Sequence, residues 1–226
     1  MDALLAKDQL QHTSPAVAEA NHRIANSLTL LVSMLRMQAQ AAARRSEPYS
    51  GAEVRLLLEG VAARIGTIGQ LHRLLSHVPP EGATSLKPHL KEVCDVLVST
   101  LSSPERSVTV ELSGCDCLVL ARQVQPLILI LCEAFINAMK YAHPTGVELR
   151  MAVICGAAAD GRMTLTISDD GVGLPENFDL QKDGGFGFRV IRGLAAELGA
   201  GLEIVSPGIG LSFRLLLPAM PGGKLS

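Results

Sequence analysis

Apolar residues recur at helical spacing over the first third of the chain. Ile24, Leu28, Leu31 and Leu35 follow one another at intervals of four, three and four, one apolar stripe of an α-helix. His22, Asn26, Thr29 and Ser33 repeat that rhythm on the opposite face. Ser14-Pro15 supplies an N-cap followed by proline at the first helical position. The spacing therefore predicts a helix to about Ala43, roughly 40 Å long at a rise of about 1.5 Å per residue. Ser46-Glu47-Pro48-Tyr49-Ser50-Gly51 predicts a turn, and Leu57, Val61, Ile65, Ile68 and Leu75 place a stripe on a second long helix. Two such helices form a hairpin that cannot bury its stripes alone. Pairing two copies into a four-helix bundle solves this, which predicts a homodimer.

Val78-Pro79-Pro80-Glu81-Gly82 ends the helical pattern, so the chain divides into residues 1–80 and 81–226. Beyond the break the pattern is mixed. Ser85 is placed to cap a helix carrying Leu86, Leu90, Val93, Leu97 and Leu101. Val108, Val110 and Leu112 alternate like a strand, and a long helix is expected from about Ala121 to Ala142. Strands follow near Val147–Ile154 and Met163–Ser168, then a glycine-rich loop, a helix over Phe188–Leu198, and strands near Leu202–Val205 and Leu211–Leu217. Helices interspersed with strands predict an α+β layered domain.

Composition narrows the class. Of 226 residues, 48% are hydrophobic and 19% charged, which excludes a disordered chain. The net charge of −2 gives no pull toward nucleic acid or anionic lipid. The longest apolar run, Leu127 to Cys132, stops at Glu133, far short of the roughly 18 residues of a membrane span. Met1 to Gln11 lacks the apolar core of a signal peptide, and five cysteines, an odd number, suit a reducing compartment. A cytoplasmic location is expected.

Three segments of the second domain carry candidate chemistry. Glu133, Asn137 and Lys140, at i, i+4 and i+7, form one polar stripe on an otherwise apolar helix. Such a stripe is either a solvated face or a set of groups able to hold a metal ion and the phosphates it bridges. Asp170-Gly171-Val172-Gly173, directly after a strand, is either a turn or a place where backbone approaches a planar ligand and an Asp accepts from its amino edge. Gly184-Gly185-Phe186-Gly187 opens a helix, whose N-terminal amides suit phosphate. Neither a P-loop nor a Rossmann fingerprint is present, since Gly-Lys-Ser/Thr is missing and no N-terminal strand precedes the glycines.

Taken in order, these segments resemble a known family. Glu133-Ala134-Phe135-Ile136-Asn137-Ala138-Met139-Lys140-Tyr141-Ala142 resembles the N box of the Bergerat-fold (GHKL) ATPases. Asp169-Asp170-Gly171-Val172-Gly173-Leu174-Pro175 is similar to their first glycine box, Gly185-Phe186-Gly187-Phe188 to the second, and Gly208-Ile209-Gly210 to the last. Glu19-Ala20-Asn21-His22-Arg23-Ile24-Ala25-Asn26-Ser27-Leu28 resembles the phosphoacceptor box of bacterial sensor histidine kinases of the His-Arg-x-x-Asn (HisKA-type) subgroup. Ala63-Arg64-Ile65-Gly66-Thr67-Ile68 through Leu71-His72-Arg73-Leu74 resembles the second dimerisation helix. The related HWE subgroup needs a Trp-x-Glu signature, which a chain without tryptophan cannot supply.

The resemblance implies a dimerisation and histidine phosphotransfer hairpin followed by a Bergerat-fold α/β sandwich. It further implies a kinase that autophosphorylates His22 from ATP and passes the phosphoryl group to an aspartate of a response regulator receiver domain. In that reading Asn137 and Glu133 hold Mg²⁺, Lys140 meets phosphate, and Tyr141 belongs to the nucleotide site. Asp170 accepts from the adenine amino group beside Gly171 and Gly173. Gly185 and Gly187 hinge a short lid, Glu176 to Gly184, over the phosphates, and Glu19, one turn before His22, orients its imidazole. No sensor domain is read before the hairpin, so input is expected from a partner, from a separate sensor subunit, or not at all. Leu211 stands where the last box usually carries Thr, at the cost of a hydroxyl near phosphate. Two other readings compete: an ATP-independent histidine phosphotransferase, in which the ATP motifs would have decayed, and an anti-sigma-type regulatory protein, which would lack the His-bearing hairpin.

Overall fold

The computed structural model describes residues 15–75, 81–103, 106–144, 146–158, 160–180 and 184–218, the side chains of 15–24, 26, 71–72 and 74–75 excepted. The expected hairpin is present: α1 spans Pro15–Ala43 and α2 spans Gly51–Leu75. Ser14 and the Pro-Pro break lie outside the described residues. A reciprocal cap fixes the turn between the helices. The Glu53 amide donates to Ser50 Oγ at 3.2 Å, and the Ser50 amide donates to Glu53 Oε2 at 2.8 Å. Arg45 completes the turn, donating to Glu53 Oε1 at 2.7 Å with its guanidinium 4.5 Å from the Tyr49 ring centre.

The Ser50 amide first, and then Arg45, hold the Glu53 carboxyl down to about 2. Its folded pKa lies below the unfolded one, so its contribution is present above the ordinary carboxylate pKa and is lost as pH falls toward the folded value. We expect the Glu53 carboxyl resonance to titrate with a midpoint of about 2, moving back toward the ordinary value in Ser50→Ala. An ordinary midpoint in the unsubstituted protein would refute this cap.

The remaining elements are β1 (Ala83–Ser85), α3 (Leu86–Leu101), β2 (Val108–Gly114), β3 (Leu118–Leu120), α4 (Ala121–Tyr141), β4 (Leu149–Ala157), β5 (Met163–Asp169), α5 (Phe186–Glu197), β6 (Gly201–Val205) and β7 (Ser212–Leu216). Strands β1 and β3 were not anticipated. At three residues each they are too short to show alternation, and they pair antiparallel with Ala83 opposite Leu120. Ser85 does sit at the N-cap of α3, but its hydroxyl donates to Asp116 at 2.6 Å instead of capping. Asp116 Oδ1 in turn receives the Lys87 amide at 3.3 Å, so a residue distant in sequence serves the helix end.

Five strands form one sheet in the order β2-β4-β5-β7-β6, with β2 parallel to β4 and the other neighbours antiparallel. Alternation gives the sheet one buried face. Leu149, Met151, Val153, Leu165, Ile167, Phe213 and Leu215 point inward against the helices, while Arg150, Ile154 and Arg214 face solvent. This is the expected layered sandwich. Helix α4 is long and apolar enough to cross a membrane by length and composition, yet it lies mostly buried within the protein as its core helix.

The hairpin forms a further layer on the helices, with α2 packed on α3 and α4. The expected stripes are therefore split. Leu31 and Ile68 are buried, along with Met34, Leu56, Ala63 and Thr67, which face the second domain or the partner helix. Leu28, Val32, Leu35, Val54, Leu58 and Ile65 stay exposed, Leu58 by 60%. Each helix thus carries two apolar faces, where the periodicity suggested one.

Candidate functional site

The polar stripe of α4 is not a solvated face. Glu133 is 1% exposed and Asn137 8%, because the helix is enclosed on nearly every side by apolar neighbours. A carboxylate buried this deeply needs a partner, and α2 supplies it. Arg64 grips Glu133 with a bidentate fork, Nε to Oε1 at 2.5 Å and Nη2 to Oε2 at 2.8 Å. The Phe186 ring, at the start of α5, lies 5.8 Å from the same guanidinium. Lys140 is half-buried; burial first, then the Arg64 charge, push its ammonium pKa down, and Glu133 pulls it back. Two cations against one carboxylate leave this corner with surplus positive charge.

Asn137 lies against α5. A Cβ built at Gly187 would fall 2.5 Å from Asn137 Oδ1, so only glycine allows the two elements this approach. Among the described residues, Asn137 Nδ2 is buried without a hydrogen-bond partner, and so is Arg64 Nη1. Gly185 occupies open, exposed backbone at the N-cap of α5. Of the expected lid, residues 181–183 lie outside the described residues. Phe178, from its first part, packs on Phe188 at 5.8 Å between ring centres, and Phe188 on Phe213 of the sheet at 5.6 Å.

At the end of β5 two adjacent carboxylates take different environments. Asp169 continues the inward alternation of Leu165 and Ile167; its Oδ1 accepts from the Gly171 amide at 2.9 Å and the Leu211 amide at 3.3 Å. Burial raises its pKa, and those two amides offset part of the rise. Asp170 turns outward. Its Oδ1 lies 2.8 Å from His143 Nε2 and 3.0 Å from the Arg150 amide. Partial burial pushes its carboxyl up, but the Arg150 amide and His143 together bring it below the ordinary value. Asp170 Oδ1 is thus engaged by protein groups on the outward face, whereas Asp169, which sequence reasoning did not single out, lies on the inward face beside the glycine segments.

The first and last glycine boxes are stitched together. The Gly210 amide donates to Gly171 O at 2.6 Å, the Leu174 amide to Ser206 Oγ at 2.8 Å, and Ser206 Oγ to Gly210 O at 3.0 Å. Gly173 sits at φ +72°, between these loops. Leu211 is buried, and its amide rather than its side chain serves the site. Ser206 and Arg64 gave no local signal, because their roles exist only through contacts with distant segments. Tyr141 projects from the end of α4, 70% exposed.

Glu19 and His22 lie within α1, and their side chains fall outside the described residues, as do those of Asn26 and His72. His12 and His77 are likewise outside them. His89 is buried on α3, with Nε2 3.3 Å from Thr84 Oγ1, and burial lowers its pKa. His143 is the partner of Asp170. All five cysteines are free thiols.

Comparison with known proteins finds two family models along the chain. Residues 19–101 match the family model described as "Histidine kinase", and residues 123–221 match that of the histidine kinase-, DNA gyrase B- and HSP90-like ATPases. The chain belongs to the histidine kinase family. Among its relatives, the sensor histidine kinase PdtaS of Mycobacterium tuberculosis is 28% identical over 204 residues, 88% of this chain and 37% of that protein. The blue-light-activated histidine kinase 2 of Erythrobacter litoralis is 26% identical over 232 residues, covering 93% and 59%. This histidine kinase chain thus spans only part of the length of these relatives. The solved histidine kinase domain of the Erythrobacter litoralis kinase EL346 shares its fold, with a TM-score of 0.65 at 22% identity over 90% of both chains.

Proposed function

We propose that this chain is the phosphorylating core of a two-component system, binding Mg-ATP beside α4, transferring its γ-phosphoryl group to His22, and delivering it to an aspartate of a response regulator receiver domain. One observation carries the reading. Glu133, Asn137 and Lys140 of α4, Asp169 at the end of β5, and the glycine segments at 171–173 and 185–187 belong to one corner of the sandwich. Asn137 Nδ2, unpartnered among the described residues, and the half-buried Lys140 ammonium fit a phosphate-bearing ligand.

Asn137 and Glu133 are the residues that would hold Mg²⁺, which takes few protein ligands because phosphate oxygens and water supply the rest. Bound there, the metal would neutralise the charge of the phosphates. Lys140 adds a point charge, and Asp169 replaces Asp170 as the acceptor for the adenine amino group. His22 acts as the nucleophile, oriented by Glu19. Catalysis rests on positioning and charge neutralisation. The hairpin of residues 1–80 serves phosphotransfer and dimerisation, residues 81–226 bind nucleotide, and five free thiols suit a cytoplasmic location.

Labelling with γ-labelled Mg-ATP tests the proposal. Acid-labile label is expected on the unsubstituted protein and none on His22→Ala. An unlabelled protein that nevertheless accepts phosphate from a phosphorylated receiver domain would return the phosphotransferase reading.

The exposed stripe Leu28, Val32, Leu35, Val54, Leu58 and Ile65 is the surface we assign to the second copy. Leu58→Glu puts a charge in its centre and is expected to weaken dimerisation at least about tenfold, since burying an unpaired carboxylate costs several kcal/mol. Light scattering on the eluting protein checks this; an unchanged mass would relocate the interface.

A further inference from the structure

The strongest polar contact between the hairpin and the ATPase domain falls on the residue expected to serve the metal. Both oxygens of Glu133 are engaged by Arg64, and the pair is 3% and 1% exposed. The contact is embedded in a fitted interface. Gly60 of α2 brings the backbone close to Ile136, where an added Cβ would lie 3.5 Å from Ile136 Cδ1. Cys132, the neighbour of Glu133, donates to Thr67 Oγ1 at 3.4 Å. Further along, Ser27 Oγ donates to Gln125 at 3.1 Å. From the other side, Phe186 covers the Arg64 guanidinium and Gly187 covers Asn137.

A carboxylate spent on a bidentate guanidinium cannot coordinate a divalent cation, and a fixed positive charge at that place repels one. Charge and geometry therefore oppose the docked hairpin to metal-nucleotide binding. We propose that Arg64 is an inhibitory latch: α2 docked on α4 holds Glu133 away from the metal, and the N box binds Mg-nucleotide only when the hairpin lifts and Arg64 releases the carboxylate. The inference rests on the nucleotide reading of this corner and adds its regulation. Apparent affinity is then reduced by the fraction of molecules that are undocked, so whatever destabilises docking tightens binding. Signals that bend or separate α1 and α2 would act on ATP binding through this pair.

The test is calorimetric titration of the full chain with the magnesium complex of a non-hydrolysable ATP analogue. Arg64→Gln removes the fork and is expected to tighten binding at least about tenfold. Thr67→Cys supplies the opposite arm. Its thiol would face Cys132, and diamide, taking two hydrogen atoms, would join the two sulfurs and fasten α2 to α4; peptide mass identifies the link. The oxidised form is expected to bind at least about tenfold more weakly than the same protein after dithiothreitol. Equal affinity of the unsubstituted, Arg64→Gln and cross-linked forms would overturn the latch and leave the nucleotide site standing. Absence of binding in every form, reduced Thr67→Cys and Arg64→Gln included, would overturn the nucleotide site and the latch with it. Circular dichroism melting of each variant shows that it is folded.

Discussion

Asp169→Asn is expected to weaken Mg-ATP binding by about ten- to a hundredfold, whereas Asp170→Asn should change it by less than about threefold. The difference follows from which way each side chain turns. Asp169 Oδ1 is fixed by the amides of Gly171 and Leu211, which leaves Oδ2 for a ligand amino group. In the asparagine variant the carbonyl oxygen must still face those two amides, so the NH₂ takes the Oδ2 position and confronts the ligand's own donor. A lost charge-assisted hydrogen bond is worth about 1.5–3 kcal/mol, or roughly ten- to a hundredfold. Asp170 faces outward, with its Oδ1 held by His143 and the Arg150 amide, and its loss costs local order at the strand end.

The same geometry carries a pH dependence. Burial raises the Asp169 pKa, so the ionised acceptor is lost on acidification sooner than for an ordinary aspartate, and affinity should fall with it. In folding the sign is opposite: a raised carboxyl pKa favours the folded state at low pH, and that advantage disappears as pH rises through the folded value. Titration calorimetry of the unsubstituted protein and both variants across pH checks the binding statement, and denaturant unfolding of the same proteins across pH checks the folding one. An Asp170→Asn loss equal to that of Asp169→Asn would restore the assignment made from sequence.

Phe188→Ala should lower stability by about 3–5 kcal/mol, the usual cost of truncating a buried phenylalanine. Phe188 is 6% exposed and is the middle ring of the Phe178–Phe188–Phe213 series. Its removal opens a cavity between α5 and the sheet and frees Phe178 at once. For a chain of this size about 1 kcal/mol corresponds to about 2–4 °C, so the melting temperature should drop by about 6–20 °C. Phe188 directly follows Gly187, so α5 should also loosen from Asn137 and nucleotide affinity should decline in the folded variant. A melting temperature within about 2 °C of the original would show that the ring series contributes little.

Much of the architecture was legible because it is written in local periodicity. The alternation of Leu165, Ile167 and Asp169 was also readable in principle: a period of two places Asp169 on the inward face with the two apolar residues, and Asp170 outward. The Asp-Gly-x-Gly wording drew attention to Asp170, whereas strand parity points to Asp169, the carboxylate of the proposed site. Strands β1 and β3 had no such signal at three residues each. The burial of His89 was hidden for a different reason, since one polar side chain on an apolar helix face looks the same whether covered or not.

The chain by itself determined its helices, the longer strands, and the order of its boxes, because turn chemistry and apolar spacing act over a few residues. Tertiary structure decided which faces those elements cover. It turned the polar stripe of α4 inward, divided the hairpin into a docked face and an exposed one, and joined the first and last glycine boxes through Ser206. It also brought Arg64 to Glu133, 69 residues away. A buried carboxylate must find a counter-charge somewhere, but sequence spacing carries no record of which arginine will reach it.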